Sequence, residues 1–210
     1  MLLDLLETLE SWDIVLGSGS PRRLEIVTDM GLNVRVVTSS FAEDLDKTTF
    51  ATPEEYVAAT ALAKGKDVAS QTPQADLVIA ADSVVIRDST ILEKPSSEED
   101  AREKLRSLSG REHYVHTAVV LGSPSSAQGE EDEIEWTTFG VSTWVVFDEL
   151  SDELIDAYVA TGSPMDKAGG YGIQDLAGMF VKEIRGDYFN VMGLPKHALA
   201  SAVANLVRAK

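Results

Sequence analysis

A chain of 210 residues, 44% apolar and 25% charged, has the composition of a soluble globular protein able to bury a sizeable core. Its formal net charge of −17 argues against binding duplex DNA or anionic membranes, which needs a broad basic surface, but leaves a small phosphorylated ligand open. With no Cys there are no disulfides, thiolate metal sites or Cys nucleophiles. No segment nears the roughly 18 apolar residues of a membrane span, so a cytoplasmic location is expected.

The chain opens on MLLDLLETLESWD, where Asp4, Glu7 and Glu10 interrupt the apolar residues. This reads as a short amphipathic helix, residues 1–11 forming an N-terminal extension, rather than a signal peptide. Ile14 to Leu16 predicts a first strand, and Ser20-Pro21 an N-cap with Pro in the first turn of a helix running to Met30, where Gly31 stops it. A short strand follows at Val34 to Val37, and then an acidic loop, FAEDLDKTTFA. Thr52-Pro53-Glu54-Glu55 opens an Ala-rich helix to about Ala69 in capping-box fashion.

Leu77 to Ile86 is a nearly continuous apolar run, as expected of a strand covered on both faces. Pro95-Ser96-Ser97-Glu98-Glu99-Asp100 opens a further helix, acidic in its first turn and basic later, that ends at Gly110. Strands are predicted at about Tyr114 to Leu121 and Trp136 to Val146, separated by the polar, acidic stretch SPSSAQGEEDEIE. Leu154 to Tyr158 reads as helix, Thr161 to Gly178 as a long Gly-rich loop, Met179 to Ile184 as a strand, and the segment from Pro195 as a closing helix. Interleaved strands and helices without repeat or linker predict a single α/β unit.

The loop between the first strand and its helix, LGSGSPRR, is built only of Gly and Ser before the proline. A strand, a small-residue turn and a helix N-terminus are the physical recipe for cradling phosphate, and Arg22 and Arg23 would add guanidinium donors. Two cations at the positive end of a helix are otherwise unfavourable. Both readings, phosphate ligands and solvated surface arginines, stay open on this stretch alone, because GSGS lacks the spacing of a Walker loop or a dinucleotide fingerprint.

Asp82 interrupts VIAADSVVI, and a carboxylate in a buried strand must be paired, neutralised or bound to a cation. It is expected to face a site, with Ser83 as a neighbouring hydroxyl; an ordinary ion pair is the plainer alternative. Glu43, Asp44 and Asp46 are either metal ligands or a solvated acidic face. His113 and His116, three apart on a strand, point to opposite faces and are poor partners for one metal, and His197 reads as structural. TGSPMDKAGGYGIQ carries Asp166, Lys167 and Gln174, and the Gln174 amide could read a base edge.

Together SGSPRRLEIV, AEDLDKTTFATPEEYV, IAADSVVI with LEKP, LSGREHYVHTAVVL, and DKAGGYGIQDLAGMFVKEIRGDYFNVMGLP resemble the Maf family of nucleotide pyrophosphatases, eukaryotic members included, in order and approximate spacing. The resemblance runs from about residue 13 to residue 200. It implies hydrolysis of a nucleoside triphosphate to the monophosphate and pyrophosphate, a house-cleaning activity on the nucleotide pool assisted by a divalent cation, Mg²⁺, Mn²⁺ or Co²⁺. The implied fold is a mixed, strongly bent central sheet with flanking helices around a long cleft between two lobes of one domain, like that of inosine triphosphate pyrophosphatases. A homodimer is the implied assembly, with neither nucleic acid polymer nor membrane as partner.

The resemblance places Ser18, Ser20, Arg22 and Arg23 at the triphosphate, with Asp82 as the catalytic carboxylate. Its other site positions match Glu43, Lys64, Lys94, Asp166, Lys167 and Gln174. On these grounds Asp82 and Glu43 are expected to hold the metal, Lys64 and Lys94 to hold phosphate oxygens, and Ser83, Asp166, Lys167 and Gln174 to contribute to substrate binding. Pro-Arg-Arg paired with Gly-Ile-Gln is similar to the branch acting on dTTP and UTP rather than on 7-methyl-GTP, and modified pyrimidine nucleotides are further candidates. Two positions depart from the family pattern: Ser163 stands where many relatives have Glu, and Asp175 follows Gln174 where they have Gly. The alternatives are a phosphatase releasing inorganic phosphate and a nucleotide-binding regulator of cell division without turnover.

Overall fold

The computed structural model describes residues 2–124 and 134–210; most of the acidic stretch expected between the two long strands lies at 125–133, outside the described residues. The strands among the described residues are β1 (Ile14–Gly17), β2 (Val34–Val36), β3 (Leu77–Arg87), β4 (Thr90–Leu92), β5 (Glu112–Pro124), β6 (Ile134–Phe147) and β7 (Val181–Arg185). They form one seven-stranded sheet in the order β2-β1-β3-β5-β6-β7, with β4 paired to β3 off that path. β1 runs parallel to both β2 and β3, whereas β3–β4 and β6–β7 are antiparallel, so the sheet is mixed, as expected. Parallel neighbours need crossovers, and these are α2 (Pro21–Asp29) and α3 (Pro53–Gln71).

The chain divides into two compact units, the first made of Met1–Asp82, Thr117–Val141 and Gly193–Lys210. Its N-terminal residues form a 3-10 turn at Leu2–Leu5 and a single helical turn, α1 (Leu6–Leu9), with Leu2 and Leu9 buried. Asp4 accepts a 2.7 Å bond from Arg208. In α3 the Thr52 hydroxyl accepts from the Glu55 N–H at 3.2 Å, and the Glu55 carboxylate reaches back to the Ala51 N–H at 2.9 Å. Both orphan donors are thereby satisfied at the start of the helix that carries Lys64. Gly65, next in sequence, lets α3 lie close on its neighbours: a Cβ there would meet Trp136 Cζ3 at 2.8 Å and Val120 Cγ2 at 2.9 Å.

The second unit comprises Ser83–His116 and Ser142–Met192. It contains α4 (Glu98–Leu108), α5 (Asp152–Val159) and α6 (Tyr188–Met192), and its core gathers Leu105, Leu108, Val145, Phe147, Ile155 and Phe180. The Gly-rich stretch is not featureless. It folds into 3-10 turns at Ser163–Asp166, Ala168–Gly170 and Leu176–Phe180, the last of which delays β7 to Val181. Gly169 has φ +67°, and a Cβ on it would lie 2.8 Å from a Val85 methyl, so this turn is pressed against β3 where only glycine fits.

Tyr171 anchors the same stretch in the core. Its ring meets Phe147 edge to face, and its hydroxyl pairs with His113 Nε2 at 2.8 Å. His113 is only 2% exposed, and burial pushes its pKa from 6.5 down to about 4, against a smaller opposing pull from the Arg111 backbone. β4 and α6 went unforeseen in the sequence because each is too short to show a period.

Two outcomes follow from this packing. Gly65→Ala gains helix propensity worth about 1 kcal/mol but overpacks Trp136 and Val120 at a cost of about 1–3 kcal/mol, so urea unfolding should show a net loss of stability. A more stable variant would contradict the close packing. His113 is harder to protonate folded than unfolded, so its contribution is complete above pH 6.5 and is lost as pH falls toward 4. Between pH 7 and pH 4 the wild type should therefore lose on the order of 3 kcal/mol more than His113→Gln. Equal slopes in the two proteins would show that His113 titrates normally.

Candidate active site

In the first unit, three loops or strand continuations meet at the carboxyl ends of parallel strands, the usual place for a ligand in such a sheet. β1 ends at Gly17 and runs into Ser18–Ser20; β2 ends at Val36 and leads to the acidic loop holding Glu43; β3 pairs with β1 as far as Ala80, two residues before Asp82. Asp82 is 9% exposed. The Lys64 ammonium, projecting from α3, donates to Asp82 Oδ1 at 2.8 Å and lies 2.9 Å from Glu43 Oε2. Two carboxylates thus converge on one cation. The structure brings together Glu43, Lys64 and Asp82, which are far apart in sequence.

Glu43 stands in the left-handed region, at φ +53°, which costs a residue with a long side chain about 1 kcal/mol or more and persists only where the surroundings hold it. Here the hold comes from the Lys64 ammonium and, through the loop ahead of Glu43, from Asp67, one turn beyond Lys64 on α3. Its carboxylate accepts from the Ser40 N–H at 2.7 Å and from the Ser39 and Ser40 hydroxyls, each at 2.9 Å. Those bonds, the Ser40 N–H first, keep the Asp67 carboxyl below the usual carboxylate range. Asp67 was missed in the sequence because nothing local distinguishes an acid on a solvated helix face from one that clamps a distant loop.

The two arginines of the opening loop take different positions. Ser20 occupies the N-cap and Pro21 follows, but the Ser20 hydroxyl makes no cap bond; instead its N–H donates to Ser18 Oγ at 3.2 Å. Arg23 Nε donates to the Gly193 carbonyl at 2.8 Å, and its Nη1 donates to the Ala81 carbonyl at 2.7 Å and to Ser18 Oγ at 3.3 Å. Burial lowers the Arg23 pKa from the ordinary arginine value, while Asp82 and Glu43 pull it up and Arg22 pushes it down. Arg23 therefore ties the start of α2 to the carbonyl beside Asp82. Arg22 is partly exposed on the first turn.

In the second unit, Lys167 is 8% exposed and enclosed. Its ammonium donates to the Ser163 carbonyl at 2.7 Å and to Asp166 Oδ1 at 2.6 Å, and lies 3.3 Å from Asp175 Oδ2. Gln174 Nε2 donates to the same Asp175 oxygen at 3.2 Å. Both departures from the family pattern, Ser163 and Asp175, are therefore in contact with an expected site residue. Lys94 lines a depression of about 420 Å³ together with Arg87, Glu93 and Lys104. Strand alternation turns Ser83 to the face of β3 opposite Asp82.

His113 is occupied in the core, His116 Nδ1 pairs with Ser142 Oγ at 2.8 Å, and His197 is exposed on α7 (Lys196–Ala209). Among the described residues no three His, Asp or Glu side chains are grouped to hold a metal by themselves. Mg²⁺ commonly takes only one or two carboxylates, with phosphate and water completing its shell. A pair of carboxylates already converging on one cation, Lys64, fits that requirement.

The model of the family described as "Maf-like protein" matches residues 13–206. The chain is 46% identical over 198 residues to a human protein called probable bifunctional dTTP/UTP pyrophosphatase/methyltransferase; the match covers 92% of this chain but only 32% of that protein. It is 43% identical over 182 residues to a dTTP/UTP pyrophosphatase of Geobacillus, covering 87% of this chain and 91% of the relative. Among solved structures, a nucleoside-triphosphatase (dITP/XTP pyrophosphatase) of Mycobacterium abscessus aligns over 66% of this chain and 75% of its own, at 14% identity and a TM-score of 0.40. A family match spanning nearly the whole sequence, on a chain whose Asp82, Glu43 and Lys64 meet at the strand ends, means that this chain belongs to the Maf-like protein family.

Proposed function

We propose that this chain is a nucleoside triphosphate pyrophosphatase that hydrolyses dTTP and UTP to the monophosphate and pyrophosphate. The observation that carries the reading is the convergence of the Asp82 and Glu43 carboxylates on one ammonium, beside a loop whose helix N-terminus receives no hydroxyl cap. The relatives that bear the name dTTP/UTP pyrophosphatase, at 46% and 43% identity, support the substrate class.

In this reading Asp82 orients the attacking water and takes its proton. The water oxygen bonds to the α-phosphorus, the bond from that phosphorus to the bridging oxygen breaks, and pyrophosphate leaves with the electron pair. Asp82 and Glu43 would hold a divalent cation, which supplies neutralising charge on the phosphate oxygens and acidifies bound water. Arg22, Lys64 and Lys94 hold phosphate oxygens, and the uncapped N–H groups of α2 add donors. Arg23 serves by positioning, since its guanidinium is committed to the Gly193 and Ala81 carbonyls. Ser18 and Ser20 line the substrate, while Asp166, Lys167 and Gln174 act on the nucleoside. The same reading takes the enzyme as cytoplasmic and homodimeric, as the family resemblance implies.

Removing the negative charge while keeping the shape isolates the central residue. Asp82→Asn should lower the rate of pyrophosphate release from dTTP with Mg²⁺, Mn²⁺ or Co²⁺ by about a thousandfold. Binding of dTTP should remain measurable by calorimetry. Turnover at the wild-type rate would remove Asp82 from the chemistry.

A further inference from the structure

We infer that Thr60 is a positioning residue of the candidate site, its hydroxyl receiving the Lys64 ammonium when a divalent cation is held by Asp82 and Glu43; the inference rests on the reading of those two carboxylates as a metal pair. Thr60 is 1% exposed, and its Oγ1 has no hydrogen-bond partner among the described residues. A buried hydroxyl ordinarily finds one, often a carbonyl of the preceding turn. Thr72, at the other end of α3, does so, donating to the Val68 carbonyl at 2.8 Å. Packing alone would be served as well at residue 60 by valine, which has the same shape and no polar atom to satisfy.

The course of α3 sets Thr60 on the side of that ammonium. As the crossover between parallel strands, α3 runs opposite to β3, so each turn toward its start lies farther past the carboxyl ends of the strands. A Cβ on Gly17 would lie 3.2 Å from both Ala80 Cβ and Val68 Cγ2, which puts Val68 level with the last paired residues of β1 and β3. Lys64 is one helical turn further on, about 5.4 Å, and Asp82 two strand residues further on, about 6.6 Å, so the two are level. Thr60 is the next turn of the same face. Side chains on a helix lean toward its N-terminus and cover the residue four positions earlier, so the stem of Lys64 leans toward Thr60.

The Lys64 ammonium lies 2.8 Å from Asp82 Oδ1 and 2.9 Å from Glu43 Oε2. It cannot keep both carboxylates while they also hold a divalent cation, because like charges in contact repel. The four-carbon stem lets the ammonium swing away, but Lys64 is largely buried, and a buried charge that gives up its acceptors needs another at hand. Thr60 Oγ1 is that acceptor. An ammonium has three N–H donors, so it can give one to Thr60 and aim another at a phosphate oxygen, the role the functional reading assigns to Lys64. A hydroxyl left idle by the fold is thereby put to use by the site.

Thr60→Val removes the hydroxyl and keeps the shape, whereas Thr60→Ser keeps the hydroxyl. The test measures Mn²⁺ binding to the wild type and both variants by electron paramagnetic resonance, together with thermal melting in metal-free buffer. Thr60→Val should bind Mn²⁺ about tenfold more weakly yet melt at or above the wild-type temperature, since it loses no hydrogen bond in the absence of the ion. Thr60→Ser should bind within about twofold of the wild type. A hydroxyl with a purely structural role gives the reverse pattern, a lower melting temperature for Thr60→Val with unchanged Mn²⁺ affinity, and either half of that pattern overturns the inference. So does a loss of affinity in Thr60→Ser as large as in Thr60→Val. Failure of the wild type itself to bind Mn²⁺ overturns the reading of Asp82 and Glu43 beneath it.

Discussion

A carboxylate in a strand buried on both faces has to find a cation, and the first unit is arranged around that constraint. The effective cost of an unpaired buried charge is several kcal/mol, so β3 tolerates Asp82 only because α3 delivers Lys64 to it at 2.8 Å. α3 can do so because Gly65 lets the helix approach closely and Thr52 starts it at a defined residue. The same ammonium holds Glu43 in its left-handed conformation, while Asp67 holds the two serines just before it. Arg23 ties down the backbone one residue before Asp82. The groups that let the strand accept a charge are thus the ones a phosphoryl-transfer site needs.

The second unit solves the inverse problem. Lys167 is a buried cation, and Asp166, Asp175 and the Ser163 carbonyl surround it. The 3-10 turns on either side of it are fastened by Tyr171, whose hydroxyl reaches His113 in the core, and by Gly169 against Val85. A loop so anchored holds the side chains on its rim in fixed orientations.

Much of this architecture was legible in the sequence because its signals are local. The apolar run of β3, the Thr52 start of α3, the acidic opening of α4 and the Pro21 start of α2 all appear where period and cap chemistry place them. Asp82 was legible for a related reason, being a charge in the wrong place for a buried strand. Long-range contacts were not legible. Arg22 and Arg23 look alike side by side, yet Arg23 bonds to carbonyls at residues 81 and 193, and no property of the dipeptide reports this. The partnership of Asp67 with Ser39 and Ser40 escaped for the same reason. Asp175 showed in the sequence only as a departure from a pattern, which does not report its contacts with Lys167 and Gln174.

The central claim is that Asp82 and its neighbours direct water at the bond between the first two phosphates of a pyrimidine nucleoside triphosphate. Hydrolysis of dTTP in ¹⁸O-labelled water, with the products separated and weighed by mass spectrometry, tests it most directly. The account predicts pyrophosphate without label and one ¹⁸O in the thymidine monophosphate. Release of labelled inorganic phosphate with thymidine diphosphate would contradict it.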